Sequence, residues 1–566
     1  MTSPPPGVAI ARLLLVALFS VLPLLPPEVR GESMAACAGL LVLVVVTAPI
    51  PGGDARSGLV LGAAGAAAAL ATCWPEASIE TTSMVLLAAV AGSSAARLPW
   101  EARAGRGVPW AVAASGCVVA AHALFQKVHG LPALAARLAA GAAVADRDAA
   151  LTRLAEGRAF AGFSTPAAMA GLLAMALAVT VGLAASCRGP RRAWLAVACA
   201  IQAAGIVAGA SATASAGLAA AAALLALRIR AGRRGLSVLA AAEFLVVLAV
   251  AVARGGEVLS ASEAASPWRL RAGNFRAAAE MAADHPWIGV GPGGFGAALP
   301  AYLREGDNET RFAHDLPLHL AAEIGFPAGA ALSALFFVFF LGPVWAGPAA
   351  GEERWRTGAR VALGAFAIQN LGDFTALLPS TLWFAALLRG VLAVRGAGEG
   401  REPGRGARLL GGPILRAAAA GAAVVLALSG LAWNARYLAR DAAARGDPAT
   451  AASEAGKAAA LAPWSPDAAV AHAETLLASA GDADGEWTEA ALGEADRAVA
   501  LAPTRPGIRV VRARARILSG DLPGAFADAA EAARLYPRSE DHRRLRDEIA
   551  RRLPAPARPE AGTSSL

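Results

Sequence analysis

Apolar residues fill most of the chain in runs of about 20, separated by short polar or arginine-bearing connections, which is the pattern of membrane-spanning helices. The runs lie near residues 8–25, 34–50, 58–73, 82–98, 108–126, 165–186, 193–210, 212–227, 236–253, 317–345, 357–372, 375–395 and 410–433. At about 20 residues per crossing they predict an all-α, polytopic transmembrane helical bundle of about 12–13 spans over residues 1–433. Two longer segments, 127–163 and 254–316, interrupt the bundle. The first run lacks the charged start and small-residue cleavage site of a signal peptide, so it reads as a retained helix.

The pattern changes after 433. Helical periodicity continues over 434–553 with a charged face, and a phrase recurs: Ala-Leu-Ala-Pro463, Ala-Leu-Ala-Pro503 and Arg-Leu-Tyr-Pro537, at spacings of 40 and 34 residues. Thirty-four is the length of the tetratricopeptide repeat, a helical hairpin whose second helix a proline ends. The segment resembles a small α-helical solenoid of that kind, with Gly520-Asp521-Leu-Pro-Gly-Ala-Phe526 opening one second helix. Residues 554–566 are rich in Pro, Ala and Ser and read as a disordered tail.

Composition agrees with the pattern. Hydrophobic residues make up 56% of 566 and mean hydropathy is +0.50, too apolar for a soluble globular protein of this size. The net charge of +8 resides in the membrane part, because residues 434–566 hold 18 Lys/Arg against 19 Asp/Glu. With the N-terminus inside, alternate short connections carry the arginines: Arg97, Arg103 and Arg106; Arg188, Arg191 and Arg192; Arg228, Arg230, Arg233 and Arg234; Arg354, Arg356 and Arg360; Arg395, Arg401, Arg405 and Arg408. Cytoplasmic loops are enriched in this way, so the basic excess argues for a bilayer and against a nucleic-acid surface. The segments 127–163 and 254–316 and the C-terminal repeats then fall outside. Five cysteines lie in or beside predicted spans, with no spacing that suggests a disulfide framework or a metal site.

Chemistry concentrates in residues 271–325. The chain reads Arg271-Ala-Gly-Asn-Phe275-Arg276, then Asp284-His-Pro286, Gly289-Val-Gly291-Pro-Gly293-Gly294-Phe295, and later His314-Asp315-Leu-Pro-Leu-His319-Leu-Ala-Ala-Glu323-Ile-Gly325. No strand precedes the glycines, which excludes a dinucleotide fingerprint and leaves tight backbone geometry as their reason. An arginine binds phosphate bidentately and keeps its charge, and a histidine near neutral pH can take a proton from a hydroxyl. Glu323 and Asp373 are carboxylates at membrane depth, which mark function by default or pair structurally with a cation.

In order and spacing these motifs resemble the signature of the O-antigen ligase and O-antigen polymerase superfamily, membrane glycosyltransferases that use lipid-diphosphate-linked sugars. The resemblance implies transfer or polymerisation of a glycan from an undecaprenyl-diphosphate-linked donor, on the outer face of a bacterial inner membrane, without cofactor or metal and with inversion at the anomeric carbon. It implies Arg271 and His314 as catalytic residues, and Arg158, Arg276, Asp315, Glu323 and Asp373 as substrate-binding residues. Partners would be the lipid-linked donor, a glycan, lipid or protein acceptor, and membrane lipids, with a protein partner recruited through the repeats. Departures from the family pattern are Asp315 for Asn, Thr165 for Asn before Pro166, and Ala216 for Arg in Thr213-Ala-Ser215-Ala216-Gly217. The alternative reading is a non-enzymatic polysaccharide export or assembly scaffold working through its repeats. A lipid-linked-sugar transporter fits less well, because the polar residues gather in one loop rather than symmetrically at mid-membrane.

Thirteen spans starting inside end outside. A reporter enzyme active only in the cytoplasm, fused after Leu566, is therefore expected to be silent, and activity there would change the span count by one.

Overall fold

The computed structural model describes residues 6–26, 31–47, 79–96, 98, 107–141, 151, 154–229, 267–349, 351–393, 405–479 and 485–553. The expected spans at 58–73 and 236–253, residues 254–266, the tail 554–566 and many of the basic connections lie outside the described residues. Every regular element among the described residues is a helix. Five are both long and apolar enough to cross a membrane: Gly107–Ala139, Pro166–Ser186, Pro190–Gly209, Phe326–Ala346 and Arg416–Ala444. Shorter apolar helices at Val8–Leu24, Glu32–Thr47, Ile79–Ala95, Ala212–Ala226 and Pro379–Ala393 coincide with further expected runs.

Alanine and glycine set how closely these helices approach. Pro166–Ser186 lies along Arg354–Gln369, and a methyl group at Gly358 would overlap the Ala178 carbonyl, while one at Gly182 would overlap that of Arg354. Ile79–Ala95 packs in the same way on Pro379–Ala393 through Gly92 and Gly390. Lipid offers helices no hydrophobic reason to associate, so backbone-to-backbone contact at small residues supplies much of the attraction. One buried polar group ties three helices together: Gln202 Nε2 donates to Ala113 O at 3.0 Å and to Thr180 Oγ1 at 3.2 Å.

The run 317–345, expected as one span, is broken. Leu316–Ile324 is a separate short helix and the long apolar helix begins at Phe326, because Gly325 takes φ 79° and Pro327 starts a new first turn. The short helix belongs to a second small core with Pro267–Asp284 and Phe295–Ala298, built from Ala277, Ala278, Met281, Val290, Phe295 and Ala322. What places this 267–324 unit is a crossing of two backbone segments. Val290 N–H donates to Ala322 O at 2.9 Å, Gly291 N–H to Glu323 O at 2.8 Å and Phe326 N–H to Pro286 O at 2.7 Å. Gly289 (φ 65°) faces the Glu323 carbonyl and Gly325 faces that of Trp287, and neither has room for a Cβ.

Arg405–Ala444 is one helix of 40 residues, so position 433, expected as the end of the membrane part, falls inside continuous helix. Six helices follow between Pro448 and Arg552, each packed on the next. Helices Pro506–Leu518 and Leu522–Leu535 are joined by Asp528, buried between Arg512 at 2.6 Å, Arg516 at 2.9 Å and Arg509 at 3.3 Å.

The crossing makes a stability prediction. Gly289→Ala forces a side chain into positive φ and into a carbonyl, which costs on the order of 2 kcal/mol, whereas Gly421→Ala sits mid-helix with nothing nearby and is expected to be neutral or stabilising. Thermal unfolding of the two purified variants in detergent should separate them.

Candidate functional site

The site lies where three segments meet: the start of helix Pro267–Asp284, the loop before helix Leu316–Ile324, and the turn after helix Arg354–Gln369. That turn is held by Asn370, whose side chain donates to Phe366 O at 2.7 Å and to Thr375 Oγ1 at 3.1 Å and accepts from Ala376 N at 2.7 Å. Its backbone carbonyl accepts from Leu316 N at 3.0 Å, which ties the 311–316 loop to the bundle. Gln369 reaches across to Ala167 O at 3.1 Å.

His314 stands above this turn. Its ring meets Phe374 edge-on at 4.7 Å, and Phe374 stacks on Phe312 at 4.3 Å. Its backbone is left-handed, φ 62°, a strained state for a non-glycine residue. Its Nδ1 is buried and makes no hydrogen bond among the described residues. Burial pushes its pKa below the ordinary histidine value; the Asp373 carboxylate opposes that shift, and Arg271 and His319 add to it. The charges of Arg271 and Asp373 thus both act on His314, although 102 positions separate the two.

Asp373 is fully buried and its partners are neutral: Thr213 Oγ1 donates to one oxygen at 2.8 Å and Phe374 N–H to the other at 2.9 Å. Sequence reasoning missed Thr213, although it starts the Thr213-Ala-Ser215-Ala216-Gly217 segment where the family pattern is broken. Phe374 was missed as the ring beneath His314, although it ends the Gln369-Asn-Leu-Gly-Asp-Phe374 segment that holds Asp373.

The remaining expected residues lie in scaffold contacts. Arg276 is paired with Glu280 at 3.2 Å and with Asp307, and donates to Tyr302 O at 3.2 Å. Arg158 Nε donates to Gly209 O at 2.9 Å, at the end of helix Pro190–Gly209. Asp315 caps the helix that follows it, accepting from Leu318 N at 2.8 Å, so this carboxylate serves the helix terminus and burial raises its pKa. Glu323 accepts from Phe295 N at 3.2 Å and lies 3.1 Å from His319 Nε2, while His319 Nδ1 accepts from Ala313 N at 3.4 Å. His319 and Glu323 therefore bridge the glycine-rich turn to the residue immediately before His314.

The C-terminal helices reach the same loop. Tyr536 Oη donates to Glu309 at 2.7 Å. Burial pushes the Asp467 carboxyl up, and Arg505, Arg436 and Arg311 outweigh that and hold it below the usual range.

The bridge is testable by itself. His319→Leu removes both of its bonds and leaves a buried carboxylate and a backbone N–H short of partners, at roughly 2 kcal/mol; His319→Gln, which can accept and donate at once, is expected to keep most of the stability. Thermal unfolding in detergent reads the difference.

Residues 196–333 match the family model of the O-antigen ligase. No curated protein matches the chain. The matched segment contains Thr213, Arg271, the glycine-rich turn, His314 and Glu323, and it ends inside the helix that begins at Phe326. The chain thus carries an O-antigen ligase domain over residues 196–333, together with five helices among the described residues long and apolar enough to cross a membrane, which supports the O-antigen ligase/polymerase superfamily.

Proposed function

We propose that the protein transfers or polymerises a glycan from an undecaprenyl-diphosphate-linked donor on the outer face of the inner membrane, with Arg271 and His314 at the reacting centre. The observation that carries this is the convergence of Arg271, His314 and Asp373 from distant segments within and beside the matched O-antigen ligase domain. The acceptor hydroxyl attacks the anomeric carbon, and its proton passes to His314. The bond from that carbon to the diphosphate oxygen breaks, and the electron pair leaves with the diphosphate, whose charge Arg271 neutralises. A buried histidine nitrogen with no partner among the described residues costs free energy until something bonds to it, which supports His314 as the group that meets the incoming hydroxyl. Asp373 faces the opposite way in charge and favours the imidazolium that forms. Arg276, Asp315 and Glu323 hold the segments that flank these groups, and Arg158 holds the end of helix Pro190–Gly209 just before Thr213. The C-terminal helices, through Tyr536 and Asp467 beside the 309–311 loop, are suited to deliver the acceptor or a protein partner.

Removing a charge-assisted contact that strengthens in the transition state costs on the order of 3 kcal/mol, or ~100-fold in rate. Arg271→Ala and His314→Ala are each expected to lose that much transfer with purified protein and a lipid-diphosphate donor, inserted normally in liposomes. Arg271→Lys recovers only part, because the bidentate fork is gone. Wild-type rates in both alanine variants would leave the scaffold reading.

The pH dependence has a definite sign. Because burial lowers the His314 pKa, the neutral, proton-accepting ring persists to lower pH than for an exposed histidine, so transfer should fall only as pH drops through that lowered value. A pH–rate profile whose acid limb lies above the ordinary histidine value of about 6.5 would contradict His314 as the base.

A further inference from the structure

At one corner of the 267–324 unit, where the next helix begins, stand three large apolar side chains that no other described residue covers. Trp287 is 78% exposed, Ile288 46% and Phe326 66%. They are held together by the backbone crossing: Phe326 N–H bonds the Pro286 carbonyl, and Gly325 packs against the backbone of Trp287. The turn that presents them closes on itself, with Gly289 N–H donating to His285 O at 3.0 Å and His285 N–H to Met281 O at 2.9 Å.

Two further facts say what covers this corner. Phe326 is the first residue of a 21-residue apolar helix whose outward side chains include Leu335, Val338 and Phe339, so the corner continues a lipid-facing surface. At 1.5 Å per residue that helix is about 30 Å long, the thickness of a hydrocarbon core. Its far end carries Trp345, 72% exposed, and exposed aromatic residues at both ends of a span are the mark of the two membrane interfaces. A turn with its backbone groups bonded internally is also the kind that tolerates the edge of the hydrocarbon.

We propose that the 286–288 turn is a membrane-interface anchor: Trp287 and Ile288 enter the bilayer beside the start of the Phe326–Ala346 helix and hold the 267–324 unit against the lipid surface. The partner is bulk phospholipid. This stands on the membrane reading alone and is independent of the transfer chemistry.

The test uses full-length protein in phosphatidylcholine vesicles, with an environment-sensitive fluorophore on Trp287→Cys in a background whose native cysteines are replaced. A label on Glu305→Cys, exposed in the same unit, is the control. The 287 label should be quenched by lipids with a spin label high on the acyl chain and shielded from iodide, and the 305 label should show the reverse. Iodide quenching at 287 without lipid quenching would overturn the anchor, and so would protection from both quenchers, which would mean a protein partner covers the corner. Lipid quenching that arises only when a polyprenyl phosphate is added would assign the surface to the donor's tail and also overturn it. If the cysteine-free background does not fold, native protein and Trp287→Phe are compared in vesicles of brominated lipid. The anchor requires that the substitution lower the quenchable tryptophan fluorescence, and an unchanged quenchable fraction rejects it.

Discussion

Two stretches of backbone, 286–291 and 322–326, cross at contact distance, and the geometry of the site depends on that crossing. Three amide hydrogen bonds join them, and two facing glycines remove the side chains that would keep them apart. One stretch ends the helix that begins near Arg271, and the other begins the apolar helix that enters the bundle. The crossing therefore sets the position of the arginine relative to the membrane. The His319–Glu323 bridge extends the same constraint to Ala313 and so to His314, whose left-handed backbone persists because both flanks are fixed. Strain at the histidine and lack of room at the glycines are parts of one arrangement.

The buried polar groups divide the work. Asn370 uses its side chain on the turn and its carbonyl on the site loop, and Gln369 ties that turn to the neighbouring helix. Asp373 differs, since its partners are a hydroxyl and one backbone amide, and neither cancels its charge. A carboxylate kept this way is costly in a low-dielectric interior, and the cost falls when a cation appears beside it. A histidine that gains a proton during the reaction is such a cation.

Much of the fold was legible because membrane helices announce themselves through long apolar runs, and every such run within the described residues coincides with a helix. The run at 317–345 was misjudged for a physical reason: hydropathy does not register that Gly325 adopts positive φ, so a short helix of the 267–324 unit and a long apolar helix read as one segment. The end at 433 was placed where apolar residues thin out, but helices continue as long as their hydrogen bonds do, and this one runs to Ala444. At the site, motif order pointed to Arg271 and His314, and the charges of Arg271 and Asp373 both act on the His314 ring. The partners of Arg276 and Asp315 were not legible, because pairing with Glu280 and Asp307 or capping a helix depends on the path of a loop. Thr213 was hidden for the same reason, being 160 positions from the carboxylate it bonds.

The 40-residue helix joins the bundle to the C-terminal helices without a hinge. A flexible linker would let the two parts tumble separately, giving the array a cloud of positions. A continuous helix about 60 Å long behaves as a rod, so the orientation of the array about the bundle is inherited from the angle at which that rod leaves the membrane. That angle is fixed by the packing of the rod on helices Glu32–Thr47 and Ile79–Ala95, so the array is held in one placement against the loop it touches at Glu309.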